Sequence, residues 1–232
     1  MPEPGTTELG LVVYPPTTVM TPTGIVTVEG YVARQATVTI DGTEVVTHSD
    51  PDGRTYFQEE VDLGPGDHVI EVEAVASGVS AKETLHVVVD PSLIRQFAYI
   101  TAVDPVAGTV TADYAEWYIG EEAVTAAVED GMANPDGTID GDFYIRNQND
   151  RLRVLPIASV SDTQIVLIVC YPGPGPCLAR DVLNLAEMAE AMADPDSTVE
   201  THGWHWYGAN MAPMWLTLDH DTIVQIEEQY LP

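Results

Sequence analysis

Short stretches of alternating apolar and polar residues fill the first third of the chain. Val26 and Val28 are separated by a polar neighbour, as in a strand that buries one face. Asp41-Gly42 lies between two such stretches and is a strong signal for a two-residue hairpin. About seven strands of this kind follow one another at regular spacing, a pattern typical of an all-β sandwich. We therefore predict a β-sandwich over residues 9–91.

A second β pattern follows a predicted domain boundary at Asp90-Pro91-Ser92, where proline ends the last strand because it lacks the amide hydrogen of a β-ladder. The new pattern begins at Phe97, turns through residues 104–108 and continues over 109–118. Further strands are predicted at 143–146, 152–157, 164–169, 199–207, 214–218 and 222–227. Residues 95–232 are therefore predicted to form a β-rich α+β domain, either a twisted sheet or barrel-like, with two short helices.

Both predicted helices come from apolar residues that recur at helical spacing. The first spans 121–130, with Glu121 and Glu122 at its start and Gly131 just past its end, as the helix dipole and helix termination favour. The second spans 181–193 and is followed by a proline. The predicted apolar faces consist of Ala123, Val124, Ala127 and Val128 in the first helix, and Val182, Leu185, Ala189 and Met192 in the second.

A resemblance to a known family covers most of residues 14–90. It rests on the segments GIVTVEGYV, ATVTIDGTEV and DPDGRTYFQEEVDLGPGDHVIEVEAVASGVSAKETLHVVV. These resemble bacterial immunoglobulin-like accessory modules of the glucodextranase domain B type. The resemblance implies an immunoglobulin-like β-sandwich, hence a mainly β protein. Such modules act as spacers, adhesive units or companions of another exported domain, so it also implies export and no catalytic residues.

A second resemblance covers parts of residues 95–232. The segments DYAEWYIGEEAVTAAVEDG, DFYIRNQNDRLRVLPI and VQIEEQYLP are similar to a domain of exported proteins and lipoproteins of actinobacteria. That domain has no established activity, so the resemblance implies no catalytic residues. The cysteine loop and the tryptophan-rich stretch described below depart from its usual form.

The charge balance restricts the partners of the chain. It contains 37 acidic residues against 8 lysines and arginines, a net charge of −29, with Lys82 as its single lysine. Nucleic acids and anionic membranes would be repelled, so neither is an expected partner. No apolar stretch approaches the ~18 residues of a membrane span, so no direct membrane insertion is expected. Salt shortens the screening length from ~10 Å at 0.1 M to ~3 Å at 1 M, which predicts adaptation to salt water or to divalent cations.

Two features predict an extracellular or cell-surface location. Cys170 and Cys177 enclose the turn-forming segment YPGPGP, and a disulfide between them would contribute roughly 2–3 kcal/mol. Disulfides persist outside the cytoplasm. The alternative is a pair of unlinked buried thiols. Residues 1–8 are rich in proline, glycine and threonine, which predicts a flexible tether that follows a removed export signal.

The segment THGWHWY is the richest in candidate chemistry. On a strand Trp204 and Trp206 would face one side and His205 and Tyr207 the other, with Trp215 nearby in sequence. Exposed aromatic rings beside carboxylates can stack on sugar faces, so these five residues form a candidate ligand surface for a polysaccharide. The alternative is an aromatic patch that packs in the core.

Calcium is the candidate cofactor, because oxygen ligands are abundant. Asp136, Asp140 and Asp142 alternate along a turn-rich segment. The segment lacks the glycine and glutamate positions of an EF-hand, and solvated turns are the alternative. A zinc site around His202 and His205 is disfavoured, because the two histidines would face opposite sides of a strand.

These observations favour a non-catalytic binding or structural module of the cell surface or secreted fraction, with a polysaccharide or a cell-surface protein as partner. The alternative function is a hydrolase of extracellular polymer with a His/Asp site near residues 202–221. A third hypothesis is a surface scaffold without a small ligand. Residues 146–153 concentrate three of the seven arginines, for which we predict ion pairs with nearby carboxylates rather than an anionic ligand site.

Overall fold

A computed structural model describes residues 9–14, 18–49, 51, 53–169, 179–193, 198–199, 204–205 and 212–229. The chain divides into two compact units, Met1–Leu93 and Ile94–Pro232. The predicted tether at residues 1–8 and the predicted Cys170–Cys177 disulfide lie outside the described residues. Within the described part, neither helix is long and apolar enough to cross a membrane.

The first unit contains nine described strands. They are β1 (Leu11–Tyr14), β2 (Val19–Thr21), β3 (Ile25–Val32), β4 (Thr37–Ile40), β5 (Thr43–Glu44), β6 (Thr47–Ser49), β7 (Thr55–Asp62), β8 (Gly66–Ala76) and β9 (Val79–Val89). The prediction of about seven was low, partly because the stretch after Asp41-Gly42 is divided between sheets. β5 pairs with β4 in one sheet, and β6 pairs with β7 in the other.

The strand order is that of an immunoglobulin-like sandwich, which confirms the predicted class. One sheet has the order β1-β3-β7-β6 and the other β2-β9-β8-β4-β5. The first sheet corresponds to strands A, B, E and D of immunoglobulin domains, and β9, β8 and β4 of the second correspond to strands G, F and C. The second sheet is extended at one edge by β5 and at the other by β2, which pairs with β9 in parallel. The inner faces of the two sheets form one core, in which Val28, Val32, Ile70 and Val72 are completely buried.

The predicted hairpin at Asp41-Gly42 is present between β4 and β5. Both residues have positive φ, +48° and +77°, and the flanking residues Ile40 and Thr43 pair directly. These are the dihedral angles of a type I′ turn, whose twist matches that of the paired strands and which glycine and aspartate adopt at low cost.

The second unit contains eleven strands and two helices in its described part. They are β10 (Ile94–Asp104), β11 (Thr109–Tyr114), β12 (Glu116–Ile119), α1 (Gly120–Glu129), β13 (Phe143–Arg146), β14 (Leu152–Pro156), β15 (Gln164–Val169), β16 (Ala179–Leu183), α2 (Leu185–Ala193), β17 (Thr198–Val199), β18 (Trp204–His205), β19 (Pro213–Asp219) and β20 (Thr222–Glu228). This agrees with the predicted β-rich α+β class.

A seven-stranded twisted sheet with the order β14-β11-β10-β19-β20-β15-β16 organises this unit. Ala98 and Ile100 of β10 and Leu216 of β19 point to one face, where Leu185 and Met188 of α2 join the same core. Ile157, just after the edge strand β14, pairs with Ile223 of β20, which shows that the sheet curls. Among the described ladders the sheet remains open, so of the two predicted forms the twisted sheet is observed.

Two predicted boundaries in this unit are wrong. Residues 181–183 belong to strand β16, which pairs with β15, and the helix begins only at Leu185. The predicted strand 109–118 breaks at Ala115, because residues 116–119 leave the large sheet and pair with β13 in a separate two-stranded sheet.

The helix faces are also corrected. The buried residues of α1 are Ala123, Ala126 and Ala127, whereas Val128 is exposed. Those of α2 are Leu185, Met188 and Ala191, and Ala189 and Met192 are only half-buried.

Candidate functional site

The predicted tryptophan-rich surface is described only in part. Residues 204–205 form the short strand β18, which pairs with Thr198–Val199, and Trp206 and Tyr207 lie outside the described residues. Trp215, in the middle of β19, is the member of this set whose side chain is described, and it is half-buried. The ligand surface predicted around Trp204 and His205 therefore stays a prediction.

Trp215 belongs to an aromatic cluster on the outer face of the seven-stranded sheet. Its ring packs edge-on against buried Phe97, with 5.0 Å between ring centroids. Phe97 also contacts Tyr99 and Trp117, and Trp117 stacks on Phe143 at 4.9 Å and 13°. The β12–β13 hairpin thus supplies two rings that cover Phe97. Trp215 packs against this cluster on one side and keeps part of its surface exposed, so its predicted role in ligand binding stays a prediction.

The polar contacts of Trp215 hold the ring further. Its indole N–H donates to Oε1 of Gln229 at 2.8 Å. The Arg95 guanidinium lies 4.5 Å from the centre of the ring, a cation–π geometry. Arg95 also donates to Glu227, which accepts a hydrogen bond from Arg180 through its other oxygen at 3.1 Å. Trp215 therefore has one face on Arg95 and an edge on Phe97.

The predicted calcium ligands lie in a turn segment that is largely exposed. Oδ1 of Asp136 accepts hydrogen bonds from the backbone N–H and the hydroxyl of Thr138, which lower the pKa of Asp136 from its ordinary value. Oδ1 of Asp140 accepts from the side-chain amide of Asn134 at 3.2 Å. Within the described ranges no three His, Cys, Asp or Glu residues gather as metal ligands do. The calcium site predicted at Asp136, Asp140 and Asp142 stays untested.

The hydrolase alternative depends on residues 202–221, of which residues 204–205 and 212–221 are described, including the tip of the hairpin between β19 and β20. His220 has a φ of +56°, and its Nδ1 lies 2.7 Å from Oδ1 of Asp219. The His220 side chain is 93% exposed, so this pair projects into solvent. A general base acts best in a cleft that limits access of water, which this hairpin tip does not provide.

Arg146 forms the densest polar network in the described part of the second unit. Its Nε donates to Oδ2 of Asp130 at 2.8 Å, and its Nη2 donates to Glu129 and to the backbone oxygen of Ala126. Its Nη1 donates to the Tyr118 hydroxyl at 3.4 Å. The guanidinium therefore binds the C-terminal end of α1, where the helix dipole is negative. The predicted ion pairing of this arginine segment is confirmed at Arg146.

Asp130 is the main partner of Arg146. The hydrogen bond from Arg146 lowers the pKa of Asp130 from its ordinary value, and hydrogen bonds from Tyr144 and Gln148 act in the same direction. Asp130 and Glu129 in turn raise the pKa of Arg146. These hydrogen bonds join β13 and the residues after it to the end of α1, which makes the network a structural tie rather than a ligand site.

A row of three tyrosines on the first unit was missed by the sequence analysis. Tyr14 on β1, Tyr31 on β3 and Tyr56 on β7 lie on adjacent strands of the four-stranded sheet. Ring centroids are 6.5 Å apart between Tyr14 and Tyr31, and 6.0 Å apart between Tyr31 and Tyr56. All three are half-buried, and the Arg54 guanidinium lies 5.4 Å from the Tyr31 ring centre. We call the three tyrosines the tyrosine row.

The tyrosine row lies on the outer face of the sandwich. Tyr31 alternates with buried Gly30 and Val32, and Tyr56 alternates with buried Thr55 and Phe57. The signal in sequence is one tyrosine at an outward position of each of three separate strands. It could be recognised only once the strand order was known, because the three strands are distant in sequence.

The chain matches no family model and no curated protein. Among solved structures, "Titin Ig tandem domains A164-A165" is similar to it at 12% sequence identity, over 48% of this chain and 69% of that chain, with a TM-score of 0.24. The immunoglobulin-like assignment of the first unit rests on its own strand order and core.

Proposed function

We propose that the chain is an exported, non-catalytic binding module of the cell surface or secreted fraction, and that its first unit binds through the tyrosine row. The observation that carries this proposal is the alignment of Tyr14, Tyr31 and Tyr56 across three strands, with Arg54 beside them. Tyrosine and arginine are enriched where binding energy concentrates, because they combine a large apolar area with polar groups.

The half-burial of the three rings supports this role. A ring that packs partly against its own sheet is already ordered, so little side-chain entropy is lost when a ligand covers the remainder. The surface is supported by a rigid element, since its three strands are joined by continuous antiparallel ladders. The resemblance of this unit to bacterial accessory modules agrees with this proposal, because such modules accompany another exported domain.

The proposal is tested by sedimentation with insoluble actinobacterial cell-wall material. The wild-type chain is expected to sediment with it, and the double variant Tyr31→Ala, Tyr56→Ala is expected to remain in the supernatant. Val69→Ala is the matched control, because Val69 is 60% exposed on β8 of the other sheet. Circular dichroism checks that each variant is folded.

Two results would contradict the proposed function. One is a wild-type chain that stays in the supernatant with every wall preparation. The other is equal sedimentation of the wild type and a folded double variant, which would place binding elsewhere in the chain.

A further inference from the structure

We propose that the ligand of the tyrosine row is a neutral linear polysaccharide. This inference rests on the proposed function and names the chemical class that the surface recognises. The tyrosine row is one ring wide and three rings long. Tyr31 and Tyr56 lie directly opposite each other on β3 and β7, and Tyr14 on β1 is offset by two residues, opposite Glu29. A linear chain of sugar rings has the matching shape, with apolar C–H faces that stack on aromatic rings.

Polar side chains border the row as hydroxyl recognition requires. Glu29 lies opposite Tyr14 on the neighbouring strand, Gln58 lies opposite Glu29, and His48 lies opposite Tyr56. Directly opposite residues of an antiparallel pair share a face of the sheet, so all three are beside the tyrosine rings. Together with Arg54 they supply both donors and acceptors, which suits a ligand rich in hydroxyl groups.

Charge argues against an anionic polymer and against specific binding of a cationic polymer at the row. Residues 1–93 contain fifteen acidic residues but only Arg34, Arg54 and Lys82 as basic ones, within a chain of net charge −29. An anionic polymer is repelled by that field. A cationic polymer would be attracted to the acidic surface at large and would meet a guanidinium at the row itself. A neutral polymer is subject to neither effect.

The test is affinity electrophoresis in native gels that contain dextran, laminarin or galactomannan, with alginate as the anionic comparison. We expect at least one neutral polysaccharide to retard the wild-type chain. Tyr31→Ala should weaken that retardation about tenfold, whereas Tyr31→Phe, which keeps the ring, should stay within about threefold of the wild type.

Two further variants keep the test decisive. Gln58 is exposed, so Gln58→Ala should fold normally and still weaken retardation, even if Tyr31→Ala is unstable. Val69→Ala, on the other sheet, should behave as the wild type. The inference is overturned if no neutral polysaccharide retards the chain, if alginate alone does so, or if folded Tyr31→Ala and Gln58→Ala are retarded as strongly as the wild type.

Different results would contradict the proposed binding function and the polysaccharide inference. If sedimentation with wall material depends on Tyr31 and Tyr56 but is lost when the wall is treated with protease, the ligand is a protein. In that case the binding function stands and the polysaccharide inference is wrong. If no wall material and no polysaccharide is bound through the row, both are wrong.

Discussion

At the scale of single residues, the tyrosine row depends on close contact between β1, β3 and β7. Gly30 lies between Tyr31 and Glu29 on β3 and faces inward. A Cβ at this position would collide with the backbone oxygen of Val12 and would lie 2.7 Å from Cζ of Phe57. Glycine is therefore required here by packing, and it lets the Phe57 ring fill the space beneath the row.

We expect Gly30→Ala to destabilise the chain by about 1–3 kcal/mol, the usual cost of overpacking a core. Gly64→Ala is the matched control, since a Cβ there meets nothing within 4 Å. Urea denaturation measures both. Equal stability of the two variants would show that the sheet relaxes without cost.

Arg146 is the residue on which the second polar network depends. Its planar guanidinium meets Asp130, Glu129 and the Ala126 backbone oxygen at once, a fork that a lysine ammonium cannot reproduce. Arg146→Lys should therefore lower the melting temperature of the second unit, and Arg146→Ala should lower it further. Arg151→Lys, at an exposed neighbouring position, should leave it unchanged.

The Asp130 carboxyl makes this contribution dependent on pH. Because its folded pKa is lowered, the stabilisation is complete above the unfolded value of about 3.9 and is lost as the pH falls through the folded pKa. Asp130→Asn should thus be less stable than the wild type at neutral pH, and the difference should shrink below pH of about 4. Thermal melts from pH 7 to pH 2 measure it, and a difference that is constant with pH would refute the assignment.

At the scale of elements, α2 begins where a capping box allows it to begin. The Asn184 side chain accepts hydrogen bonds from the backbone N–H groups of Ala186 and Glu187, and the Glu187 carboxylate accepts from the Asn184 backbone N–H. This reciprocal pair satisfies amide groups that have no partner within the helix. It also explains why residues 181–183 remain in the sheet.

Asn184→Ala should destabilise the second unit by about 0.5–2 kcal/mol, the usual cost of losing an N-cap. Asn184→Asp keeps an acceptor at the cap and should stay close to the wild type. Urea denaturation followed by circular dichroism distinguishes them. If both variants lose the same stability, the cap does not determine where the helix begins.

At the scale of the whole molecule, charge is the dominant feature. The 37 acidic residues greatly exceed the 8 basic ones. The described ion pairs of lysine and arginine engage few of these carboxylates: Lys82 binds Glu71 and Glu73, Arg95 and Arg180 share Glu227, and Arg146 binds the carboxylates at the end of α1. Repulsion among the remaining carboxylates opposes folding and should decrease as salt screens it.

The melting temperature should therefore rise as NaCl is increased from a few millimolar to about 1 M, where the screening length falls to ~3 Å. Differential scanning calorimetry at a fixed pH near 7 measures the rise. A melting temperature that is flat or falls over this range would contradict adaptation to salt.

The sequence by itself determined what local periodicity can encode. Alternation of period two predicted a β-sandwich, Asp41-Gly42 predicted a two-residue hairpin, and helical spacing predicted α1 within one residue at each end. These features depend on neighbours along the chain, whose backbone preferences and apolar faces are visible in the sequence.

Only the tertiary structure decided which strands are neighbours. Val182 fits an apolar helix face in sequence, but its strand pairs with β15, and residues 116–119 leave the large sheet to pair with β13. Tyr14 and Tyr56 are brought beside Tyr31 by the order β1-β3-β7, and Trp215 is packed against Phe97 by the register of β10 and β19. Strand pairing joins residues far apart in the chain, and a local pattern records which side of a strand is apolar but not which strand lies beside it.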